Sequence, residues 1–406
     1  MTTQHVIFLF SGLVLLAILV QPLSQRIRLP FTATLVIAGF LVSELLVARG
    51  IDTGIRAGNF HTLVFYIFLP VLIFESAYNI DVRLLLRNLV TILFLAIPLM
   101  LLSTLITAVL VYYGIGHAQG FPWIAALLTG ALLSATDPVA VVAICRQLGV
   151  PEHLVVLLEG ESLFNDATAI VVFSVFIAIA TQDAGPMSLA EGGLFFLRVF
   201  SGGLLCGAIV GAGFLLVTRL ATTAVTRAAA SLICAYLAFA IAESVLHVSG
   251  VMAVLVAGML LGHAARGRND SRDEFTGRLW DFNTWIANAL VFLLMGITIT
   301  TDMFTERWLA MLIGIAAVIL ARAVGIFGIL PLLPAGGTAG SISCAERSIL
   351  YWGGLRGAVT LALALSLPTS LDYWWTIQSI AFGVVLFTLF LQATTMASAI
   401  RRSGMQ

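Results

Sequence analysis

Three carboxylates and an amide crowd into ten residues of an otherwise oily stretch, Leu158-Glu159-Gly160-Glu161-Ser162-Leu163-Phe164-Asn165-Asp166-Ala167. On a helix, Ser162 and Asp166 stand four apart on one face, and Glu161 and Asn165 share a neighbouring one. Residues 169–180 that follow are apolar apart from Ser174. About twelve residues into a span corresponds to a depth of about 18 Å, so Asp166 falls near the middle of a bilayer, with Glu159 and Glu161 shallower. Acids at that depth are costly and are functional candidates by default. A carboxylate away from bulk water keeps its proton nearer to neutral pH, and its oxygens are hard ligands for Na+ or another small cation. It holds a proton or a metal ion, hardly both, and this mutual exclusion is the minimum machinery for exchanging one for the other. Ser162 and a main-chain carbonyl exposed by a broken helix could complete the oxygen shell, while Asn165 can donate to one carboxylate and offer its own oxygen elsewhere. The structural alternative is that the acids only bond across helices and lock the bundle, a reading that weighs more for Glu159 than for Asp166.

A second stretch, Thr136-Asp137-Pro138, interrupts another apolar run. Proline lacks a backbone donor and frees the carbonyl about four residues earlier, so Thr136 and Asp137 sit where the main chain offers unpaired dipoles. A negative side chain there can neutralise the positive end of a half-helix, and that role is favoured for Asp137 over direct ion ligation. A third stretch, Gly353-Gly354-Leu355-Arg356-Gly357, breaks a later run and carries a charge of its own. Arginine stays charged and needs water or a partner. For Arg356 the partner is Glu161 or the dipole of a half-helix. Glu346 and Arg347 are expected to pair near the entrance of the same run, and Arg322 is a mate for Glu75; Glu243 also needs a partner, whereas Arg198 can snorkel to the interface.

These residues lie in a chain of 406 residues that is 60% hydrophobic and 10% charged, with a formal net charge of zero. A soluble domain carries about 25% charged residues, and nothing here resembles a basic nucleic-acid surface. Apolar stretches of about 20 residues can cross the hydrocarbon. They fall at 7–22, 28–48, 61–79, 88–113, 121–148, 154–181, 192–217, 228–247, 249–264, 279–300, 307–331, 342–366 and 375–399, thirteen in all. The first run lacks a basic flank and is read as a span, not a cleaved signal peptide. With the N-terminus outside, inside connectors and adjoining span ends hold thirteen arginines, among them Arg26, Arg83, Arg146, Arg266 and Arg401; outside ones hold only Arg49, Arg56 and Arg307. The positive-inside rule therefore favours N-out, C-in. Spans 1–6 and 8–13 could form inverted six-helix repeats, and the two interruptions fall in spans 5 and 12, matching positions in the two repeats. Two matched, charged breaks favour crossed broken helices over incidental Pro and Gly. Gly203, Gly207 and Gly211 form a flat stripe in span 7, and Gly258 and Gly262 repeat it in span 9, where a helix of this chain or of a second subunit could approach. Residues 401–406 are expected to leave no room for a cytoplasmic regulatory domain.

Cys145, Cys206, Cys234 and Cys344 sit singly in apolar runs and give neither a disulfide scaffold nor a metal knuckle. His5, His61, His117, His153, His247 and His263 have no metal-site spacing. No cofactor, no enzyme chemistry and no metal beyond a transported monovalent cation are expected. All 20 cationic side chains are arginine. A buried lysine could serve as a second proton carrier and arginine cannot, so with Asp166 as the one exchanging group the natural count is one proton for one monovalent cation.

Four stretches in order, Phe68-Leu-Pro-Val-Leu-Ile-Phe-Glu75, Thr136-Asp-Pro-Val-Ala140, Gly160-Glu-Ser-Leu-Phe-Asn-Asp-Ala167 and Gly353-Gly-Leu-Arg-Gly-Ala358, resemble the monovalent cation:proton antiporter-1 family, the prokaryotic NhaP-type sodium/proton antiporters. The resemblance spans essentially the whole chain. It implies an all-α membrane protein with an NhaA-like antiporter fold of thirteen helices, working as a homodimer in the cell (inner) membrane and exchanging Na+ (or Li+ or K+) against H+. It also implies one exchanger domain over 1–406, with 1–60 and 192–300 mainly in a dimer scaffold and 61–181 and 301–399 mainly in a core that moves like an elevator. By resemblance Asp166 binds cation and proton alternately, Asn165 matches the family's asparagine, Ser162 and the Thr136 main chain help ligate the ion, and Glu161 pairs with a site arginine, here Arg356. The asparagine-aspartate pair looks like that of electroneutral members. Phe164 stands where relatives often have leucine and keeps the face apolar. A cation or proton channel would line its path with similar acids but would not need matched breaks around one exchanging carboxylate. A sodium-coupled transporter of an organic solute would want a roomier cavity, and a purely structural protein would carry Asp137, Asp166 and Arg356 to no benefit.

Overall fold

The computed structural model describes residues 3–27, 29–50, 63–115, 121–181, 189–267, 271–332 and 342–405. Arg28, Arg56, His61, His117, Asp183 and Arg268 lie outside them. The described residues form helices and no strand. In chain order these are α1 (Thr3–Ile27), α2 (Phe31–Ala48), α3 (Val64–Asn79), a short α4 (Val82–Arg87), α5 (Leu89–Gly114), α6 (Trp123–Ser134), α7 (Val139–Gln147), α8 (Glu152–Ala180), α9 (Leu189–Leu220), α10 (Ala224–Val245), α11 (Gly250–Arg266), α12 (Ser271–Thr298), α13 (Thr301–Leu332), α14 (Cys344–Trp352), α15 (Ala358–Leu365) and α16 (Trp374–Arg402). Ten helical stretches among the described residues, counting α6 and α7 as one, are long and apolar enough to cross a bilayer. α3 and α11 are apolar but shorter, and the stretch expected at 342–366 is divided into α14 and α15. The chain is thus an all-α, multi-pass membrane protein.

Burial follows from what each helix must touch. α8 runs through the middle of the molecule, with residues 154–158 and 160–173 buried, so its polar residues are inside protein and not in lipid. α1 and α9 lie at the periphery and turn apolar side chains such as Phe8, 80% exposed, and Ile209, 73% exposed, outward, where a lipid chain is as good a solvent as another helix. Between α10 and α11 the break is wider than Val248 alone: Leu246–Ser249 form the corner, and Glu243 turns back to accept from the Gly250 N–H at 3.0 Å, capping α11.

The glycine stripes are consumed within the chain. Gly203, Gly207 and Gly211 of α9 lie against Ser249, Ala253 and Ala257 of α11. Gly258 and Gly262 on the opposite side of α11 take in Phe74, Ala77 and Tyr78 of α3. α2 and α12 meet the same way at Gly39 and Gly296, where a Cβ on Gly39 would lie 3.2 Å from the Gly296 Cα. The Gly203, Gly207 and Gly211 face of α9 is thus occupied by a helix of this chain.

These contacts set a testable contrast. A Cβ on Gly207 would lie 2.7 Å from the Ala253 Cα, so Gly207→Ala should force α9 and α11 apart at a cost of about 1–3 kcal/mol. Gly213 has nothing within 4 Å, and Gly213→Ala should be neutral or stabilising by up to about 1 kcal/mol. Melting of the two detergent-solubilised variants should move in these opposite senses; equal shifts would refute the close approach.

Candidate functional site

Two chain breaks meet at the centre of the molecule. α6 ends at Ser134 because Ala135 turns extended (φ −60°, ψ 136°), and α7 resumes only after Pro138. α14 ends at Gly353 and α15 begins at Ala358. The Asp137 N–H donates to the Leu355 carbonyl at 2.9 Å, so each break meets part of the other's need for hydrogen bonds. Arg356, 1% exposed, extends Nη1 to the carbonyls of Ser134 (3.2 Å) and Ala135 (3.0 Å). That places a fixed positive charge on the negative end of α6. Asp137 does the reverse for α7: its Oδ1 accepts from the Val139 N–H at 3.0 Å. Gly357 lies so near Asp137 that a Cβ would overlap the carboxylate, reaching its Oδ2, Cβ and Cγ. Glycine is thus required here by a close approach.

α8 is fastened to this junction by two residues. The Ser162 hydroxyl donates to the Thr136 carbonyl. The Asn165 amide donates to the Ser134 carbonyl at 2.8 Å and reaches the Thr136 hydroxyl at 3.3 Å. Asp166 follows, and its Oδ1 is buried with no hydrogen-bond partner; the Asn165 Oδ1 is likewise unpartnered. Thr388 of α16 closes the far side, its Oγ1 accepting from the Arg356 N–H at 3.3 Å.

The charges pair differently from the sequence expectation. Glu161 is held by Arg322 and not by Arg356: Nη1 meets Oε1, and Nη2 meets Oε2 at 3.1 Å, while Nη2 also donates to the Leu350 carbonyl at 2.8 Å. Arg322 reaches across Gly354, where a Cβ would sit 2.7 Å from its Nε, and this gives the first glycine pair of the break a steric reason. The expected Glu75–Arg322 pair does not form; Glu75 accepts from Asn79 one turn on, at 2.6 Å. Glu346 and Arg347 do not pair either, since consecutive helical residues point in different directions. Glu346 accepts from the Ser343 N–H at 2.6 Å and meets His153 Nε2 at 2.5 Å, and Arg347 Nε donates to the Ile342 carbonyl at 3.0 Å. Glu159 pairs with Arg146 at 2.8 Å.

A cavity of about 760 Å³ leads to the junction. Thr136, Asp137, Ser162, Asp166 and Glu75 of the sequence-derived set line it. Asn165, Glu161, Arg322 and Arg356 are not among its lining residues and stand behind the wall, while Glu346 and Arg347 lie at the start of α14, away from it. Sequence reasoning missed Asp281, Thr284 and Asn288 on α12, which face the same space; their i, i+3, i+7 spacing in an apolar span was the available signal. No group of three or more His, Cys, Asp or Glu side chains suited to a resident metal occurs among the described residues. The carboxylate and hydroxyl of Asp166 and Ser162, with the Thr136 main chain beside them, form a small oxygen-rich floor in a low-dielectric wall, suited to one small cation or one proton.

Comparison with known proteins agrees with this geometry. The family model described as "Sodium/hydrogen exchanger, transmembrane" matches residues 12–402. The Na(+)/H(+) antiporter ApNhaP of Aphanothece halophytica is 37% identical over 383 residues, 93% of this chain and 70% of that one. The Na(+)/H(+) antiporter NhaH of Halobacillus dabanensis is 31% identical over 97% of both chains. Among solved structures, the sodium proton antiporter MjNhaP1 of Methanocaldococcus jannaschii at pH 8 superposes with a TM-score of 0.82 over 98% of each chain at 21% identity, which shows a shared fold.

The Glu161–Arg322 pair gives a direct test of the site's architecture. Removing one partner strands a buried charge at a cost of about 3–5 kcal/mol, whereas replacing both with apolar side chains is close to neutral. Glu161→Leu and Arg322→Met should each lower the melting temperature of purified protein, and the double variant should recover most of the loss. Additive losses would place the two side chains apart.

Proposed function

The chain belongs to the sodium/hydrogen exchanger family, and from that membership and the geometry of the junction we propose how it works. Its activity is electroneutral antiport of Na+, or a related monovalent cation, against H+ across the membrane. It is a secondary transporter and not an enzyme. The observation that carries the mechanism is the Asp166 carboxylate, which lines an accessible cavity and keeps one buried oxygen without a hydrogen-bond partner. Glu161, Arg322, Arg356 and Asp137 each have a hydrogen-bonded partner, and Asp166 takes its cation from solution.

In the proposed cycle a cation entering the cavity is held by the Asp166 carboxylate, the Ser162 hydroxyl and the Thr136 main-chain oxygen, with water completing the shell. A proton arriving at Asp166 removes the charge that holds the cation, so binding is competitive. Asn165 keeps α8 in register with the α6 end and acts on the ion through Ser134 and Thr136. Asp137 and Arg356 neutralise the helix ends, and Glu161 with Arg322 braces α8 against α13 and α14. Arg322 and Arg356 stay charged throughout, and one proton for one monovalent cation leaves net charge unmoved.

The proposal further holds that the chain crosses the membrane thirteen times, counting α3, α11 and the two broken pairs α6–α7 and α14–α15 once each. The broken pairs occupy matching places in inverted six-helix repeats and cross at the junction; the backbone bond between Asp137 and Leu355 supports this. The N-terminus is outside and the C-terminus cytoplasmic, in the cell membrane. The cavity is then open inward, because Arg146 and Arg266 at the cytoplasmic ends of α7 and α11 line it. Transport carries a core formed mainly by 61–181 and 301–399 past a scaffold formed mainly by 1–60 and 192–300. Within 61–181 α3 is the exception: it packs along α11 and α12, which supports counting it with the stationary scaffold. The scaffold forms a homodimer.

Proteoliposomes carrying the purified protein and an imposed pH gradient test the reading. Na+ or Li+ should dissipate the gradient, at a rate unchanged when an ionophore clamps the membrane voltage. Asp166→Asn should abolish the response. A silent wild type with all of Na+, Li+ and K+, or an active Asp166→Asn, would overturn the mechanism; a voltage-dependent cycle would overturn the one-for-one count.

A further inference from the structure

The cavity has a second polar wall, on α12, that the exchange chemistry above does not use. Asp281, Thr284 and Asn288 all line the cavity that contains Asp166. They are separated by three and four residues, so they stand on one face of the helix, and from Asp281 to Asn288 the helix rises about 10 Å. The direction is meaningful. Asp281, the eleventh residue of α12, is exposed, Asn288 is half-buried, and Ala289–Ile297 beyond it are buried, every one of them apolar. The polar face therefore begins at the mouth and stops at the depth of the junction, where α12 packs on α15.

Two details argue against ordinary packing. The Thr284 Oγ1 is inaccessible to solvent and has no hydrogen-bond partner, although a helical threonine can always return its hydroxyl to the carbonyl four residues back. Thr129, Thr168 and Thr298 in this molecule do so, each at 2.7 Å. In addition, Asp281 lies near enough to Glu75 for their charges to interact, so two carboxylates on different helices share the lining of the approach, and neither has an ion pair among the described residues. Such an arrangement favours a mobile positive charge from solution.

The geometry points to a staging site for a hydrated monovalent cation, formed by Asp281, Thr284 and Asn288 on α12 and separate from the Asp166 floor. It rests on the exchanger reading above and adds a residence before it. Asp281 captures the ion with its water shell largely intact, which a cavity of about 760 Å³ has room for. Asn288 accepts hydrogen bonds from the ion's waters as it moves inward, and a turn of the Thr284 side chain brings its hydroxyl, closed to solvent in this conformation, to the same waters, so dehydration is spread over several steps before Asp166 takes the ion. Because α12 lies along α2, on the scaffold side, the stage stays still while the Asp166 floor moves.

The test separates this site from the exchange site by measuring equilibrium binding of radioactive sodium as well as transport. In Asp166→Asn, which disables the floor, a weaker cation-binding signal should remain, and adding Asp281→Asn with Thr284→Val should remove it. In the otherwise unaltered protein, Asp281→Asn and Thr284→Val should each raise the half-saturating Na+ concentration for exchange by roughly two- to fivefold, the effect of one partly hydrated partner. The Asp281→Asn effect should shrink as an impermeant salt screens the mouth, and Thr284→Ser should restore the parent value, which a packing defect would not allow. No residual binding in Asp166→Asn, or unchanged half-saturation in both single variants, would overturn the staging site and leave the exchange mechanism untouched. A wild type that binds sodium at this stage but exchanges nothing would instead overturn the mechanism and leave the stage standing.

Discussion

Backbone amides and carbonyls cannot be left open inside a bilayer, and two interrupted helices create many of them at once. The molecule resolves this by giving each interruption what the other lacks. The carbonyls at the end of α6 receive the Arg356 guanidinium, the start of α7 receives Asp137, and a single main-chain bond from Asp137 to Leu355 ties the two together. Everything near the site follows from that settlement. Gly357 is a glycine because Asp137 occupies the place of its side chain, and Gly354 because Arg322 crosses over it. Once these assignments are made, the junction is electrically closed and mechanically single.

α8 is then the only element at the junction with charge to spare. Ser162 and Asn165 spend their donors on the α6 end, which fixes the rotation of the helix. Glu161, one residue before Ser162, is turned to the far side and taken by Arg322, and Asp166 is turned to the cavity. The same three hydrogen bonds thus decide which acid is braced and which is free. Glu161 and Asp166 lie five residues and about 140° apart around the helix, so the rotation that gives Glu161 to Arg322 is also the one that turns Asp166 to the cavity.

Much of this was legible in the residues. The burial of Asp166 and the breaks at Thr136-Asp137-Pro138 and Gly353–Gly357 follow from charge and helix-breaking chemistry in an apolar run, which are local properties. Pairings were less legible because they depend on which helices become neighbours. Arg322 was assigned to Glu75 on the ground that each lacked a mate, yet Glu75 satisfies itself within its own helix through Asn79, and Glu161 faces α13. Glu346 and Arg347 were joined by adjacency in sequence, although adjacent residues on a helix diverge. The glycine stripes of α9 and α11 were read correctly as sites of close approach, but only the fold names the approaching helices. The polar face of α12 was overlooked because a single aspartate with a threonine and an asparagine does not stand out until the cavity is there to receive it.

The absence of lysine takes on a structural meaning beside these assignments. Both arginines near the site hold fixed partners: Arg356 two carbonyls, Arg322 a carboxylate and a carbonyl. Neither can release a proton, and neither can turn toward Asp166 without stranding what it holds. Among the cavity carboxylates Asp137 is engaged by a backbone amide, Glu75 by Asn79 and Glu159 by Arg146. Asp166 has no ion pair of its own among the described residues, and on the proposed mechanism its charge is balanced by whatever enters. A site with its own titratable base could empty itself without a counter-substrate. On the proposed mechanism an ion leaves the carboxylate at low energy only when another takes its place, and obligatory exchange follows from the fixed pairing of Arg322, Arg356, Asp137, Glu75 and Glu159.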